Sequence, residues 1–412
     1  MRHLPSVLHH RDYRFLWLSI LVSGFAANMV AVGVGWQVYS INGSAFDLGL
    51  IGLAEFVPLV LLALPAGQLA DHLPRRGVLA ASLFAQMGVA ALLIAITLRG
   101  AHALWAFLLM AFLTGASNAF GNPAGRAMMP ELVPVDLFEE AIALRSIAYQ
   151  VSTIGGPAIG GLLFALHAVS VYVVSVVLLA IGAVCSLLLT PRAAANLGEA
   201  PGLKSLLGGI RFIRETRVLL GAITLDLFAV LFGGAVALLP LYAKSILHTG
   251  PIGLGVLRSM PAIGALAGAV LLTRRPLGGR AGEKLLLVVA LFGVSTIVFG
   301  LSRTLWVSAL ALAFGGFVDM FSMNIRSTIV GLATPNELRG RVNSVEGVFI
   351  SASNELGAFE SGAAAALLGA TTAVVAGGVV TIVLAVVWPR LFPEVARIDR
   401  LEEVMPALPA VD

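Results

Sequence analysis

Residues 15–39 read FLWLSILVSGFAANMVAVGVGWQVY, a run without one Asp, Glu, Lys or Arg. At a rise of about 1.5 Å per residue such a run makes a helix long enough to cross the ~30 Å hydrocarbon core of a bilayer. It follows Arg2, Arg11 and Arg14 as the apolar part of a signal peptide would. It exceeds the ~7–15 residues of such a segment, however, and is expected to be a first membrane span.

Comparable runs recur along nearly the whole chain. Of the 412 residues, 58% are hydrophobic and 12% charged, against about 25% charged in an ordinary soluble domain. That composition excludes a soluble globular protein. Backbone amides in hydrocarbon must be satisfied within their own segment, so long continuous runs are read as helices, and period-two alternation of a barrel is not seen. Spans are expected near Phe15–Tyr39, Leu50–Ala70, Val78–Leu98, Ala103–Phe120, Ala141–Leu166 and Val169–Leu189. Six more follow near Leu219–Leu241, Gly253–Leu272, Leu285–Leu301, Leu305–Met323, Val342–Leu368 and Thr372–Trp388. The expected architecture is an all-α polytopic membrane protein with twelve transmembrane helices in two pseudo-symmetric six-helix bundles. The bundles occupy 1–189 and 219–390, with a cytoplasmic linker at 190–218 and a cytoplasmic tail at 391–412.

Charge sets the orientation. Arg99, Lys244 and Arg303 fall on one side and Arg258 inside a span, which leaves 22 of the 26 Lys and Arg on or beside the other face. The positive-inside rule makes that face cytoplasmic and, with an even span count, places both termini there. The net charge of +4 therefore reports topology rather than a nucleic-acid partner. In the linker, Lys204, Arg211, Arg214 and Arg217 have a spacing that fits either a basic helix on the inner surface or a solvated connection. Cys185, the only cysteine, lies in an apolar run, which excludes an intrachain disulfide and is read as packing.

The halves repeat one another. Gly115 and Arg126 recur about two hundred positions later as Gly315 and Arg326, and the Pro130–Pro134 approach to the fifth span matches the Thr334–Leu338 approach to the eleventh. Internal repeats of this kind are typical of carriers.

Two short stretches carry further information. The loop after the second span reads Gly67-Gln68-Leu69-Ala70-Asp71-His72-Leu73-Pro74-Arg75-Arg76, with a carboxylate at one helix end and two guanidinium groups beside it. The fifth span contains Gly155-Gly156-Pro157-Ala158-Ile159-Gly160-Gly161, where small residues permit close helix approach and proline bends the span. The first resembles motif A of the major facilitator superfamily, with His72 and Pro74 where a base and a glycine are commoner. The second resembles motif C, associated with exporters. Nearly the whole chain is similar to the enterobactin-exporter-like branch, as in Asp47-Leu48-Gly49-Leu50, Leu238–Ala243 and Ser353-Asn354-Glu355-Leu356-Gly357. The fourth span has Ala111 and Phe112 where many proton antiporters carry the arginine of motif B. The resemblance implies a cytoplasmic gate at Gly67, Asp71, Arg75 and Arg76, and a hinge at Gly156, Pro157, Gly160 and Gly161.

Each ionisable side chain inside a bilayer costs roughly 2.5–3.5 kcal/mol on insertion scales and is a functional suspect. Arg145, Asp319 and Glu346 are expected near cytoplasmic ends as anchors. Glu355, Glu360, Asp226, Glu55 and Arg258 lie deeper and are the candidates for proton coupling. At 100° per residue Glu346 and Glu360 share one face of their helix to within about 40°, and Glu355 points nearly opposite Glu346. Glu355 fits a proton carrier or an ion-pair partner of Arg258.

No Gly-Lys-Ser/Thr phosphate loop, His-Glu-x-x-His or Gly-x-Ser-x-Gly occurs, so neither ATP hydrolysis nor a polytopic hydrolase is indicated. The expectation is a cofactor-free, monomeric, proton-coupled exporter of the inner membrane, acting on a small amphipathic organic solute such as a drug or siderophore. A lipid or lysolipid flippase is the alternative transporter, and a non-transporting receptor or scaffold the alternative from another class.

Overall fold

The computed structural model of the protein describes residues 6–100, 103–190, 203–275, 278–335 and 338–404, and their side chains other than those of 63–64, 66–72 and 203–206. The described residues are almost entirely helical and contain no strand. By packing, the chain divides into two compact units, Met1–Ala200 with Leu239–Ser259, and Pro201–Leu238 with Met260–Asp412.

The first unit holds α1 (Arg11–Asn42), α2 (Ala45–His72), α3 (Arg75–Leu98), α4 (Leu104–Leu132), α5 (Phe138–Leu166) and α6 (Ala168–Leu187). The second begins with α7 (Leu203–Glu215) and α8 (Arg217–Gly233). Beyond Gly233-Gly234 the chain continues as a 3-10 turn, the single turn α9 (Leu239–Leu241) and a π turn, Tyr242–Ile246. From Leu239 through the start of α10 (Gly250–Arg274) it packs with the first unit. The remainder of α10, α11 (Ala281–Leu301), α12 (Leu305–Ala333), α13 (Arg339–Leu368), α14 (Ala370–Leu391) and α15 (Pro393–Ala396) complete the second.

Among the described residues eleven helical segments are long and apolar enough to cross a membrane. The twelfth long helix, α13, has 30 residues but carries Glu346, Glu355 and Glu360 among amides and hydroxyls, and is too polar to be counted with them. Among the described residues twelve long helices thus stand where twelve spans are expected, and α13 packs against α8, α7 and α14.

The neighbour pattern of the first unit recurs in the second. α1 packs on α5 and α6, α2 on α4, and α3 on α4 and α6; correspondingly α8 packs on α13 and α14, and α11 on α12 and α14. Small residues set these approaches, because in lipid helix association depends on close van der Waals contact. A Cβ at Gly115 of α4 would overlap the carbonyl of Glu55 on α2, and one at Gly316 of α12 would overlap that of Pro261.

Aromatic side chains with polar tips fix the helix ends. Tyr13 Oη donates to Ala141 O at 2.7 Å and Trp17 Nε1 to Leu144 O at 2.9 Å, joining α1 to α5. Trp388 Nε1 donates to Gly221 O at 3.0 Å, joining α14 to α8 within the apolar core of the second unit. Each contact satisfies the ring's donor, and Tyr13 and Trp388 are buried in making it.

The linker forms α7, whose Ile213 is buried in that core while Arg211 is exposed and pairs with Glu215 at 2.7 Å. After α15 the chain returns to cap α11: Ala281 N donates to Asp399 O and Gly282 N to Ile398 O, both at 3.0 Å. Two helix-start amides that lack intrahelical acceptors are thereby satisfied.

Candidate functional site

α12 runs to Ala333, ten residues past the expected span end at Met323, and this places Asp319 at the middle of the helix. Asp319, Ser322 and Arg326 stand at i, i+3 and i+7 and so share a face. Arg326 forms an ion pair with Asp226 of α8, with side chains 9% and 11% exposed, and its Nε donates to Ser322 Oγ at 3.3 Å. Asp319 and Glu346 of α13 both lie within Coulombic reach of Arg326 and Asp226. One guanidinium therefore sits among three carboxylates contributed by three helices.

Beside the ion pair is a cavity of about 210 Å³ within the second unit. Asp226 and Asp319 line it together with Ser322, Asn354 and the rings of Phe292 and Phe299. Asp319 is exposed to it. Asp319, expected as an anchor, thus shares a cavity wall with the coupling candidate Asp226. The signal in the sequence was the Asp319–Ser322–Arg326 spacing inside an apolar run.

The other coupling candidates are dispersed. Glu355 is half-buried on α13, next to the cavity-lining Asn354. Glu360, one and a half turns further on, is half-buried with Ser361 Oγ 3.5 Å from its Oε2; Ser361 Oγ also donates to Gly234 O at 3.0 Å. Glu55 is half-buried on α2 against α4. Arg258 belongs to the first unit, where its Nη1 donates to Ala31 O at 3.1 Å.

The loop after α2 is partly described. The side chain of Asp71 lies outside the described residues, and of Gly67 only its place in α2 is described. Arg75 forms an ion pair with Glu131 of α4, and its Nη1 also donates to Ala127 O at 3.0 Å. Arg76 Nη1 donates to Leu189 O at 2.9 Å, past the end of α6. The two arginines thus clamp the start of α3 to the ends of α4 and α6. Both bonds are charge-assisted, which makes them stronger than neutral ones.

The small residues of α5 serve two neighbours. A Cβ at Gly156 would stand 2.6 Å from Asn28 Cβ and one at Gly160 would stand 3.0 Å from Met29 Cα, both on α1. On the other side, a Cβ at Gly161 would stand 2.5 Å from Pro251 O, and one at Gly255 would stand 2.5 Å from Pro157 O. Ser259 Oγ donates to Ile154 O at 2.6 Å along the same seam. Gly160, Gly161 and the Pro157 carbonyl are thus at close backbone approaches and Gly156 faces the Asn28 side chain, so that larger side chains at the three glycines would clash.

No group of three or more metal-ligating side chains able to hold an ion occurs among the described residues.

Residues 5–406 match the family model of the transmembrane secretion effectors. The chain is similar to the multidrug efflux pump Tap of Mycolicibacterium fortuitum, 28% identical over 83% of this chain and 86% of that one. It is likewise similar to the enterobactin exporter EntS of Citrobacter koseri, 26% identical over 83% of this chain and 82% of that one. Among solved structures, a bacterial homologue of the human lysosomal transporter Spinster, in an inward-facing and occupied conformation, superposes with a TM-score of 0.73. That likeness covers 94% of this chain and 97% of the other at 14% identity, and concerns the fold alone.

Proposed function

The chain belongs to the transmembrane secretion effector family of major facilitator transporters, and on that premise we propose that it exports a small amphipathic organic solute, of the drug or siderophore kind, in exchange for protons by alternating access. The observation that carries the reading is the concentration of carboxylates in long helices of the second unit, where α13 is polar enough to fall outside the apolar spans. Ionisable groups at membrane depth are costly and persist where they serve a pathway. Efflux of drugs by one relative and of a siderophore by another supports the direction and the class of solute.

Glu355, Glu360, Asp226 and Glu55 are the carboxylates offered for coupling, with Arg258 as a fixed counter-charge. The Asp71 loop is the proposed cytoplasmic gate, braced by the Arg75 and Arg76 clamps. Both termini are cytoplasmic in this reading, and the monomer is the working unit.

Proteoliposomes with an acidic lumen test it. They should accumulate external ethidium against its gradient, and vesicles without a pH difference should not; equal uptake in both would refute proton exchange. A cysteine placed on the cytoplasmic side of the cavity tests the gate, since Asp71→Asn should increase its labelling. Unchanged labelling would remove the gate from Asp71.

A further inference from the structure

The charge on the wall of the second-unit cavity differs from the charge around it. Asp226 and Asp319 line the cavity, whereas Arg326 and Glu346 are not among its lining residues. Arg326 is turned to Asp226 and Ser322, so one guanidinium serves the Asp226 carboxylate from behind the wall. Asp319 keeps its exposure to the cavity. Among the described residues the lining therefore presents two carboxylates and no base. Its remaining polar groups are the Ser295, Thr296 and Ser322 hydroxyls and the Asn354 amide, and Phe292 and Phe299 supply aromatic rings.

A carboxylate that shares a cavity with aromatic rings is the chemistry that holds an organic ammonium group. The carboxylate supplies charge, and the rings attract a cation through their quadrupole. The volume of about 210 Å³ suits the cationic head of an amphiphile rather than the whole of a large solute. An anionic head would meet Asp319 directly and would bring no partner for it. Like-charge contact of that kind is a means of rejection.

From this wall we infer that the cavity between α8, α11, α12 and α13 is a head-group subsite for organic cations, with Asp319 as the charge that selects them. The inference deepens the export reading by naming the solute class, and it adds a residue to the binding machinery. Asp226 holds Arg326 away from the cation and is a positioning residue. Asp319 touches it.

Binding to the purified full-length protein in nonionic detergent tests the subsite without any transport step. Benzyltrimethylammonium and benzenesulfonate are similar in size and opposite in charge. Calorimetric titration should show saturable binding of the first and none of the second. Asp319→Asn should weaken benzyltrimethylammonium binding at least about tenfold, a change of ~1.4 kcal/mol, and Asp319→Glu should stay within about threefold of the parent. Rescue by Asp319→Glu separates a lost charge from a misfolded variant. Equal binding of both ions, no binding of the cation by the parent, or unaltered affinity in Asp319→Asn would each overturn the assignment. Proton-driven ethidium uptake by the parent is scored separately. Its absence would refute the export reading while cation binding at Asp319 could still stand.

Discussion

Arg326 of α12 and Asp226 of α8 form an ion pair buried within the second unit, with only 9% and 11% of their side chains exposed. Two charges in such a place are costly to desolvate, and the pair is tolerated because each member neutralises the other. Removing one partner leaves the other charged and buried. Arg326→Gln alone should therefore lower stability by roughly 3–5 kcal/mol, and Asp226→Asn by less, because Asp319 and Glu346 stay within Coulombic reach of Arg326. The double variant should recover a substantial part of that loss. Thermal unfolding of the four proteins in detergent gives the cycle, and simple additivity of the two single losses would show that the side chains do not act as a pair.

The exporter-like segment of α5 gives a second expectation. A Cβ at Gly161 would stand 2.5 Å from Pro251 O and 3.1 Å from Gly255 Cα, whereas nothing lies within 4 Å of one at Gly331. Gly331→Ala removes backbone freedom from a helix and should be neutral or raise stability by about 0.5–1 kcal/mol. Gly161→Ala must push two backbones apart and should cost about 1–3 kcal/mol, with a matching loss of export. Equal thermal midpoints for the two variants would mean that the α5 seam is looser than its geometry.

Much of this fold was legible in hydropathy, because lipid leaves the backbone few alternatives. Twelve long helices and their repeat follow from run lengths and from Gly115 and Arg126 recurring near 315 and 326. Less legible were the places where the chain departs from one span, one helix. Gly233-Gly234 and Pro240 interrupt the helix after α8, and the following segment through Ser259 packs with the first unit. No hydropathy window registers such a change of partner. The length of α12 is a related case: polar residues after Met323 end the apparent span, while the helix itself continues to Ala333. The partners of Arg75 and Arg76 depend on which helix ends meet. They became visible only with the structure.

Glu355 offers a third expectation. It is half-buried on the most polar long helix, beside a residue that lines the cavity. Glu355→Gln keeps size and hydrogen-bonding capacity but releases no proton. If it carries protons, gradient-driven export should fall about tenfold or more, while exchange of labelled for unlabelled solute, which needs no net proton movement, should continue. Driven export at the parent rate would move the proton role to Glu360, Asp226 or Glu55.

Proton coupling itself is tested most directly by following solute and protons together in everted membrane vesicles. With an acidic lumen, ethidium should enter the vesicles while protons leave through the same protein, and both movements should cease when an uncoupler dissipates the gradient. Ethidium accumulation that continues at full rate after uncoupling, or that proceeds without any proton leaving, would contradict the assignment of this chain as a proton-coupled exporter.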